Sequence, residues 1–292
     1  MADRIIITSD QLTAEIDPFG AELSSLRDAD GRELMTDADP AFWTGRAPLL
    51  FPIVGAVNGD TIRVDDRAYP MAKHGFARRS MFTVSEAHAD WAVFTLAATT
   101  ETRRVYPFEF VLRVLFRVSG PTLSVDVEIA NPDAVRALPA SFGFHPAFAW
   151  PLPYGHARSE HAITFGSDEP DSLCVIAADG TISDERRASP LVNRTLHLAD
   201  DLFARDALIW DVVRSDHVTY GADTGPRLRV DFPDTPMLGL WTKPGAAFIC
   251  VEPWHGIADP TGYRGEFRDK PGVFEVAPGA GKRIAMRVTL VG

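Results

Sequence analysis

Short segments with the apolar–polar alternation of β-strands recur along this chain and constrain its fold more than any other feature. They are rich in β-branched and aromatic residues, and turn pairs such as Asp30-Gly31 and Asp179-Gly180 separate them. We predict strands at residues 4–8, 12–17, 82–85, 91–98, 110–118, 122–130, 207–213, 217–220, 227–232, 247–252 and 283–291.

Helical patterns are scarce, and only residues 199–206 allow one or two helical turns. Because the strands do not alternate with helices, a parallel α/β fold is disfavoured. We predict an all-β protein built from antiparallel sheets, either a sandwich or a barrel. The chain has 292 residues with no internal repeat and no low-complexity linker, so we expect a single domain over residues 1–292.

Charge and composition exclude several classes of partner. The net charge of −11 disfavours nucleic acid and anionic membranes, because both require clustered positive charge. The longest mostly apolar segment, residues 47–57, is too short to span a bilayer, and residues 1–10 lack the pattern of a secretory signal. The two cysteines, Cys174 and Cys250, indicate no disulfide framework. We expect a reduced, cytoplasmic monomer or homodimer.

Familiar catalytic motifs are incomplete in this sequence. Residues 278–283, PGAGKR, lack the first glycine and the Ser/Thr of a phosphate-binding loop. Residues 139–143, PASFG, have Pro139 where a nucleophile elbow needs glycine. No H-x-H pair and no H-E-x-x-H helix occurs, so we expect no metal site.

Three segments combine titratable residues with Gly, Pro and aromatics. They are KHGFARR (73–79), SFGFHPAFAWPL (141–152) and CVEPWHGIAD (250–259). A histidine among apolar residues is usually a satisfied core group, and a glutamate after a buried strand is usually paired with a cation. A general base and a metal ligand are the other possible roles of Glu252, and His255 is an equally attractive candidate. Together the segments indicate a carbohydrate-like site, and Pro253 predicts that the strand ends at Glu252.

The chain resembles the aldose 1-epimerase (galactose mutarotase) family, particularly its LacX-like branch. The matching segments occur in the family's order, from about residue 10 to the end of the chain. They are APLLFPIVG (47–55), KHGFARR (73–79), YPFEF (106–110), Asn-Pro (131–132), FGFHPAFAWPL (142–152) and LWTKPGAAFICVEPWHGIAD (240–259).

This resemblance implies a galactose mutarotase-like β-supersandwich of antiparallel sheets that interconverts the α and β anomers of a hexose without a cofactor. It assigns the base at the C1 hydroxyl to Glu252 and the acid at the ring oxygen to His145. His255 is thereby left without a role. Substrate-binding positions, some implied by the resemblance and some by the residues themselves, are His74, Arg46, Arg78, Asp206 and Trp254.

Several alternatives remain open at this stage. The family often has an arginine after FPIVG, where this chain has Ala56, and the HGFAR motif is shared with hexose-6-phosphate mutarotases. A free aldose is the first expectation for the substrate and a sugar phosphate the second. The same fold could also serve as a non-catalytic sugar binder or sensor. A lyase or hydrolase would need a second carboxylate, for which Asp259 or Asp206 are the candidates.

Overall fold

Almost all regular structure in the protein is β-strand. The computed structural model describes residues 3–292, and within that range it contains 23 strands. In chain order they are β1 (Ile5–Thr8), β2 (Leu12–Asp17), β3 (Glu22–Asp28), β4 (Thr61–Val64), β5 (Arg67–Pro70), β6 (Thr83–Ala87), β7 (Trp91–Ala97), β8 (Val111–Ser119), β9 (Thr122–Ala130), β10 (Leu138–Ala140), β11 (Phe142–Gly143), β12 (Ala147–Ala149), β13 (Ala162–Phe165), β14 (Ser172–Ile176), β15 (Ile182–Ala188), β16 (Thr195–His197), β17 (Leu208–Trp210), β18 (His217–Gly221), β19 (Arg227–Asp231), β20 (Met237–Trp241), β21 (Phe248–His255), β22 (Phe274–Val276) and β23 (Gly281–Val291).

Within the described residues, helical structure is limited to single turns. The α-helix α1 (Thr100–Arg103) begins with a reciprocal cap between Thr99 and Thr102. Turns of 3₁₀-helix occupy Asn58–Asp60, Ala77–Arg79, Arg158–Glu160, Asp200–Phe203 and Phe267–Asp269. The predicted helical segment is therefore one 3₁₀ turn. No helix within residues 3–292 has the length and apolar character needed to cross a membrane.

Two large sheets make up most of the fold. One has nine strands in the order β16-β13-β18-β19-β23-β9-β8-β7-β6. The other has the order β11-β21-β20-β17-β14-β15, and β12 also pairs with β21. Smaller sheets are formed by β1-β2-β3, β10-β22 and β4-β5. Every pairing between these strands is antiparallel, which confirms the predicted all-β antiparallel architecture.

The apolar–polar alternation of the sequence corresponds to an alternation of buried and exposed side chains along the strands. In β8 the side chains of Leu112 and Phe116 are buried, whereas Arg113 and Arg117, each one position later, face solvent. The buried faces of the two large sheets meet in one apolar core, where the ring of Phe165 on β13 lies 5.0 Å from that of Trp210 on β17. Apolar burial of this kind contributes roughly 25 cal/mol per Å² of buried surface and is the main stabilising term.

The predicted end of the late strand at Glu252 is wrong. β21 continues through Pro253 to His255, because Pro253 lies opposite Leu238 in the ladder with β20 and needs no N–H there. On its other side the Pro253 carbonyl accepts a hydrogen bond from the Phe144 N–H at 3.0 Å. Glu252 is therefore held inside a strand with partners on both sides.

Candidate active site

The central pair of the site follows from strand register. β11 and β12 both pair with β21, with Gly143 opposite Trp254 and Ala147 opposite Cys250. The same register continues across the gap between β11 and β12, where Val251 N–H donates to the Pro146 carbonyl. It places His145 directly opposite Glu252, and directly opposite residues project from the same face of a sheet.

The two side chains are in direct contact. Nε2 of His145 lies 3.0 Å from Oε2 of Glu252, and the side chains are only 8% and 3% exposed. Burial raises the pKa of Glu252 well above its usual range, an effect that Lys73 opposes and Asp206 reinforces. Burial, assisted by Arg78, lowers the pKa of His145 to about 3. Both shifts favour uncharged groups, so we assign a single titratable proton to the pair, whose Nε2 and Oε2 atoms are 3.0 Å apart.

A cleft of about 270 Å³ opens onto this pair. Its polar side chains come from four separate parts of the chain and are Lys73, His74, Arg78, His145, Asp206 and Glu252. Trp43 and Trp241 line the cleft beside His145, with ring centroids 4.9 and 6.0 Å from the imidazole. Aromatic faces next to titratable groups are suited to the C–H faces and hydroxyls of a sugar.

The HGF motif fixes the orientation of His74. The residue has φ of 66°, its Nδ1 accepts a hydrogen bond from the Gly55 N–H at 3.1 Å, and its own N–H donates to the Gly55 carbonyl. Because Nδ1 is the acceptor, the neutral ring carries its proton on Nε2. Burial and the neighbouring His145 lower the pKa of His74 well below its usual value.

Replacing His74 by asparagine should reduce the acid sensitivity of folding. Asparagine tolerates positive φ and keeps an acceptor near the Nδ1 position, but it does not titrate. The unfolded chain binds a proton on His74 below about pH 6.5, whereas the folded chain does so only at much lower pH. The contribution of the neutral His74 ring to the free energy of unfolding is therefore fully present above about pH 6.5 and is lost as the pH falls. In urea unfolding, wild type should lose up to about 2 kcal/mol more than His74→Asn between pH 7 and pH 5.

The control for this comparison is His197→Asn, because His197 is exposed on β16. It should lose as much stability between the two pH values as wild type. Equal losses for wild type and His74→Asn would contradict the expected role of the neutral His74 ring.

The structure also places Arg78 and Asp206 on the cleft. Arg78 makes no ion pair with any residue of the described range 3–292, and burial together with Arg79 lowers the pKa of its guanidinium. Asp206 has φ of 70°, and its Oδ1 accepts a hydrogen bond from the Ala207 N–H at 2.7 Å. Both side chains are thus available to hydroxyl or charged groups of a ligand.

Arg46 does not line the cleft. Its guanidinium donates to the carbonyls of Thr36 at 2.6 Å and Asp37 at 3.2 Å, and its backbone N–H bonds Glu22. Through these hydrogen bonds Arg46 connects β3 with the segment between β3 and β4. The structure does not bring Arg46 together with the other predicted site residues.

Trp254 lines the cleft but packs into its floor. A Cβ atom on Gly143 or Gly239 would come within 2.5 or 2.6 Å of the indole, so both neighbouring strands need glycine to accommodate it. His255, the next residue, packs against Phe274 with ring centroids 4.8 Å apart and is not part of the cleft.

Asp259 has a structural environment of its own. Its carboxylate lies 3.3 Å from Nζ of the buried Lys270, and it accepts hydrogen bonds from the backbone and side-chain nitrogens of Asn58. It is absent from the lining of the cleft, so it cannot act as the second carboxylate of a hydrolase there.

Sequence reasoning missed Trp43, Lys73 and Trp241 as members of this site. Lys73 and Trp241 stand inside segments quoted for the family resemblance, KHGFARR and LWTKPG. Trp43 lies just before the FP-containing segment and had no distinguishing signal beyond being an aromatic near Arg46.

Donor atoms of His145, Cys250 and Glu252 lie within 4.8 Å of one another, a spacing that a metal site would need. Cys250 does not suit that role, because burial and Glu252 raise the pKa of its thiol well above the usual value. A thiol must lose its proton to bind a metal, and the other two groups already contact each other. The three residues therefore do not fit a metal site.

Comparison with known proteins identifies the family. Residues 3–274 match the family model of aldose 1-epimerase. Protein LacX (chromosomal) of Lactococcus lactis is 32% identical over 283 residues, which cover 94% of this chain and 95% of that protein.

Solved structures show the same relationship. A galactose mutarotase-like protein of Lactobacillus casei is 30% identical with a TM-score of 0.92, covering 99% of this chain and 100% of that one. A galactose mutarotase-related enzyme of Lactobacillus acidophilus is 28% identical with a TM-score of 0.91, covering 99% and 98%. The predicted galactose mutarotase-like fold is confirmed, and the chain belongs to the aldose 1-epimerase family.

Proposed function

We propose that this protein is an aldose 1-epimerase that interconverts the α and β anomers of a free hexose, with Glu252 as base and His145 as acid. The observation that carries the proposal is the direct 3.0 Å contact between the two groups at a cleft with an aromatic wall. The C1 hydroxyl and the ring oxygen of a pyranose are bonded to the same carbon. An acid and a base that serve these two oxygens must therefore stand next to each other.

The proton count of the pair matches the reaction. In the reactive form Glu252 is ionised and His145 is protonated. Glu252 takes the proton of the C1 hydroxyl, and His145 gives its proton to the ring oxygen. The bond between C1 and the ring oxygen breaks and the C1 carbonyl forms. Rotation about C1–C2 presents the other face of the aldehyde, and both transfers then run backwards. The pair keeps a single proton in the cyclic state and in the open-chain state.

Burial makes each member of the pair effective in this form. Burial lowers the pKa of His145 and raises that of Glu252, so the ionised form is the less populated one, and in it the imidazolium is a stronger acid and the carboxylate a stronger base than exposed groups would be. Positioned proton transfer typically contributes about 10²–10⁴-fold to a rate. The reaction needs neither a nucleophile nor a redox cofactor.

Exchange between anomeric proton signals tests the proposal directly. We expect the purified protein to accelerate anomer exchange of glucose or galactose at pH 7, in proportion to protein concentration. Exchange at the uncatalysed rate for every aldose tested would contradict the enzyme assignment. Saturable sugar binding without such acceleration would instead indicate the non-catalytic binder.

A sugar phosphate is the second candidate substrate. Lys73 and Arg78 line the cleft, and neither has an ion-pair partner within the described residues 3–292. Two uncompensated cations could bind a phosphate group. The same exchange measurement with glucose 6-phosphate decides between the candidates through the ratio of its kcat/KM to that of glucose.

A further inference from the structure

One side of the cleft is aliphatic and takes no part in the proton transfers. This aliphatic wall consists of Val54, Ile176, Ile182, Ile209 and Ile257. Ile176 on β14 and Ile182 on β15 lie directly opposite each other in the register of the two strands. Both are half-buried, whereas the other three are almost completely buried behind them.

The aliphatic wall is held in place by backbone hydrogen bonds and not by His145 and Glu252. The Ile182 N–H donates to the Asp259 carbonyl at 2.8 Å, and the Thr261 N–H donates to the Ile182 carbonyl at 2.8 Å. These bonds tie the β14–β15 hairpin to the segment that carries Ile257. The side chains of the wall carry no hydrogen-bonding group, so the wall is chemically distinct from the polar side chains of the cleft.

An aliphatic wall of this size is unfavourable for a hydroxyl group. A hydroxyl that leaves water and finds no hydrogen-bond partner is destabilised, whereas a methyl group gains from the same burial. In the ring form of an ordinary aldohexose, C1, C2, C3, C4 and C6 each carry a hydroxyl group. In the proposed reaction, C1 and the ring oxygen lie at Glu252 and His145. The largest apolar group that an otherwise unsubstituted hexose can present to the wall is the C6 methyl group of its 6-deoxy form.

We propose that the aliphatic wall receives a methyl group and that the preferred substrates are 6-deoxyhexoses, in which a methyl replaces the C6 hydroxymethyl group. This inference rests on the proposed function only for the position of C1. It concerns binding, and it can be tested without catalysis.

Tryptophan fluorescence provides the binding measurement, because Trp43, Trp241 and Trp254 line the cleft. The probes are three matched pairs: 6-deoxy-D-glucose with D-glucose, 6-deoxy-D-galactose with D-galactose, and L-rhamnose with L-mannose. In at least one pair the deoxy sugar should bind about tenfold more tightly, the usual discrimination of an apolar pocket. Equal or weaker binding of the deoxy sugar in all three pairs would overturn the proposal. Tighter binding of glucose 6-phosphate than of 6-deoxy-D-glucose, or no measurable binding of any probe, would do the same.

Two variants at one position assign the preference to the wall. Ile182→Thr introduces a hydroxyl and keeps the β-branched shape that suits a strand, whereas Ile182→Val removes only one methylene. The preference for the deoxy sugar should fall to about threefold or less in Ile182→Thr and should persist in Ile182→Val. If Ile182→Thr does not fold, Ile176→Thr makes the same change on the partner strand. An unchanged preference in a folded threonine variant would overturn the role of the wall.

Failure of this inference and failure of the proposed function give different results. A deoxy-sugar preference in binding, without accelerated anomer exchange, would contradict the catalytic proposal alone. Accelerated exchange, with equal binding of the two members of every pair, would contradict the role of the aliphatic wall alone.

Discussion

Replacing Glu252 by glutamine is expected to lower protein-dependent anomer exchange by about 10²–10⁴-fold, the contribution of a positioned proton-transfer group. Glutamine has the same shape, and its amide can still donate a hydrogen bond to Nε2 of His145, which lies 3.0 Å from the carboxylate it replaces. It cannot accept the proton of the C1 hydroxyl. The measurement is anomer exchange by NMR, with wild type and variant at equal concentration.

The matched control is Glu86→Gln, because Glu86 is exposed on β6 and far from the cleft in the sheet order. It should exchange anomers at the wild-type rate. Glu252→Gln should also unfold at or above the wild-type temperature, because a buried group that disfavours charge loses nothing when it becomes a neutral amide. An exchange rate within threefold of wild type would refute Glu252 as the base.

Replacing Gly75 by alanine is expected to lower the free energy of unfolding by about 3 kcal/mol or more. Gly75 has φ of 71°, a conformation that alone costs an L-residue about 1–2 kcal/mol. A Cβ atom would overlap the Phe51 carbonyl oxygen and would come within 2.8 Å of the Pro52 nitrogen. Both are backbone atoms, and the Phe51 carbonyl is fixed by hydrogen bonds from the Phe76 and Ala77 N–H groups. Relief therefore requires backbone movement next to His74.

Gly59→Ala separates the two contributions. Gly59 has φ of 61°, but a Cβ atom there would meet no atom within 4 Å. In urea unfolding, Gly59→Ala should lower the free energy of unfolding by about 1 kcal/mol, the cost of the backbone conformation alone. Equal losses for Gly75→Ala and Gly59→Ala would show that the close approach to Phe51 is unimportant.

The prediction of strands succeeded where one face of the strand is buried and the other is exposed to solvent. β2 and β9 have the predicted bounds, 12–17 and 122–130, because their side chains alternate strictly between core and solvent. β3 was missed because it buries Ser24 and Ser25, so polarity does not follow burial there. β15, with the sequence ISDERRA, was missed because it is an edge strand with mostly exposed, charged side chains.

The candidate site was predictable in part. The three segments noted in the sequence bring His74, His145 and Glu252 into one cleft. These residues could be predicted because aromatics, glycine and proline around a titratable residue are visible in the local sequence. Trp43 and the aliphatic wall were not visible in this way. Their positions depend on which strands become neighbours, and apolar residues carry no local signal that separates a cleft wall from the core.

The gap between β11 and β12 has a consequence for the length of this segment. His145 faces Glu252 because it lies two positions after Gly143 and two positions before Ala147, both of which are paired with β21. Insertion or deletion of one residue in this stretch would turn the imidazole to the opposite face of the sheet. The contact between His145 and Glu252 therefore depends on the number of residues between β11 and β12 as well as on their identity.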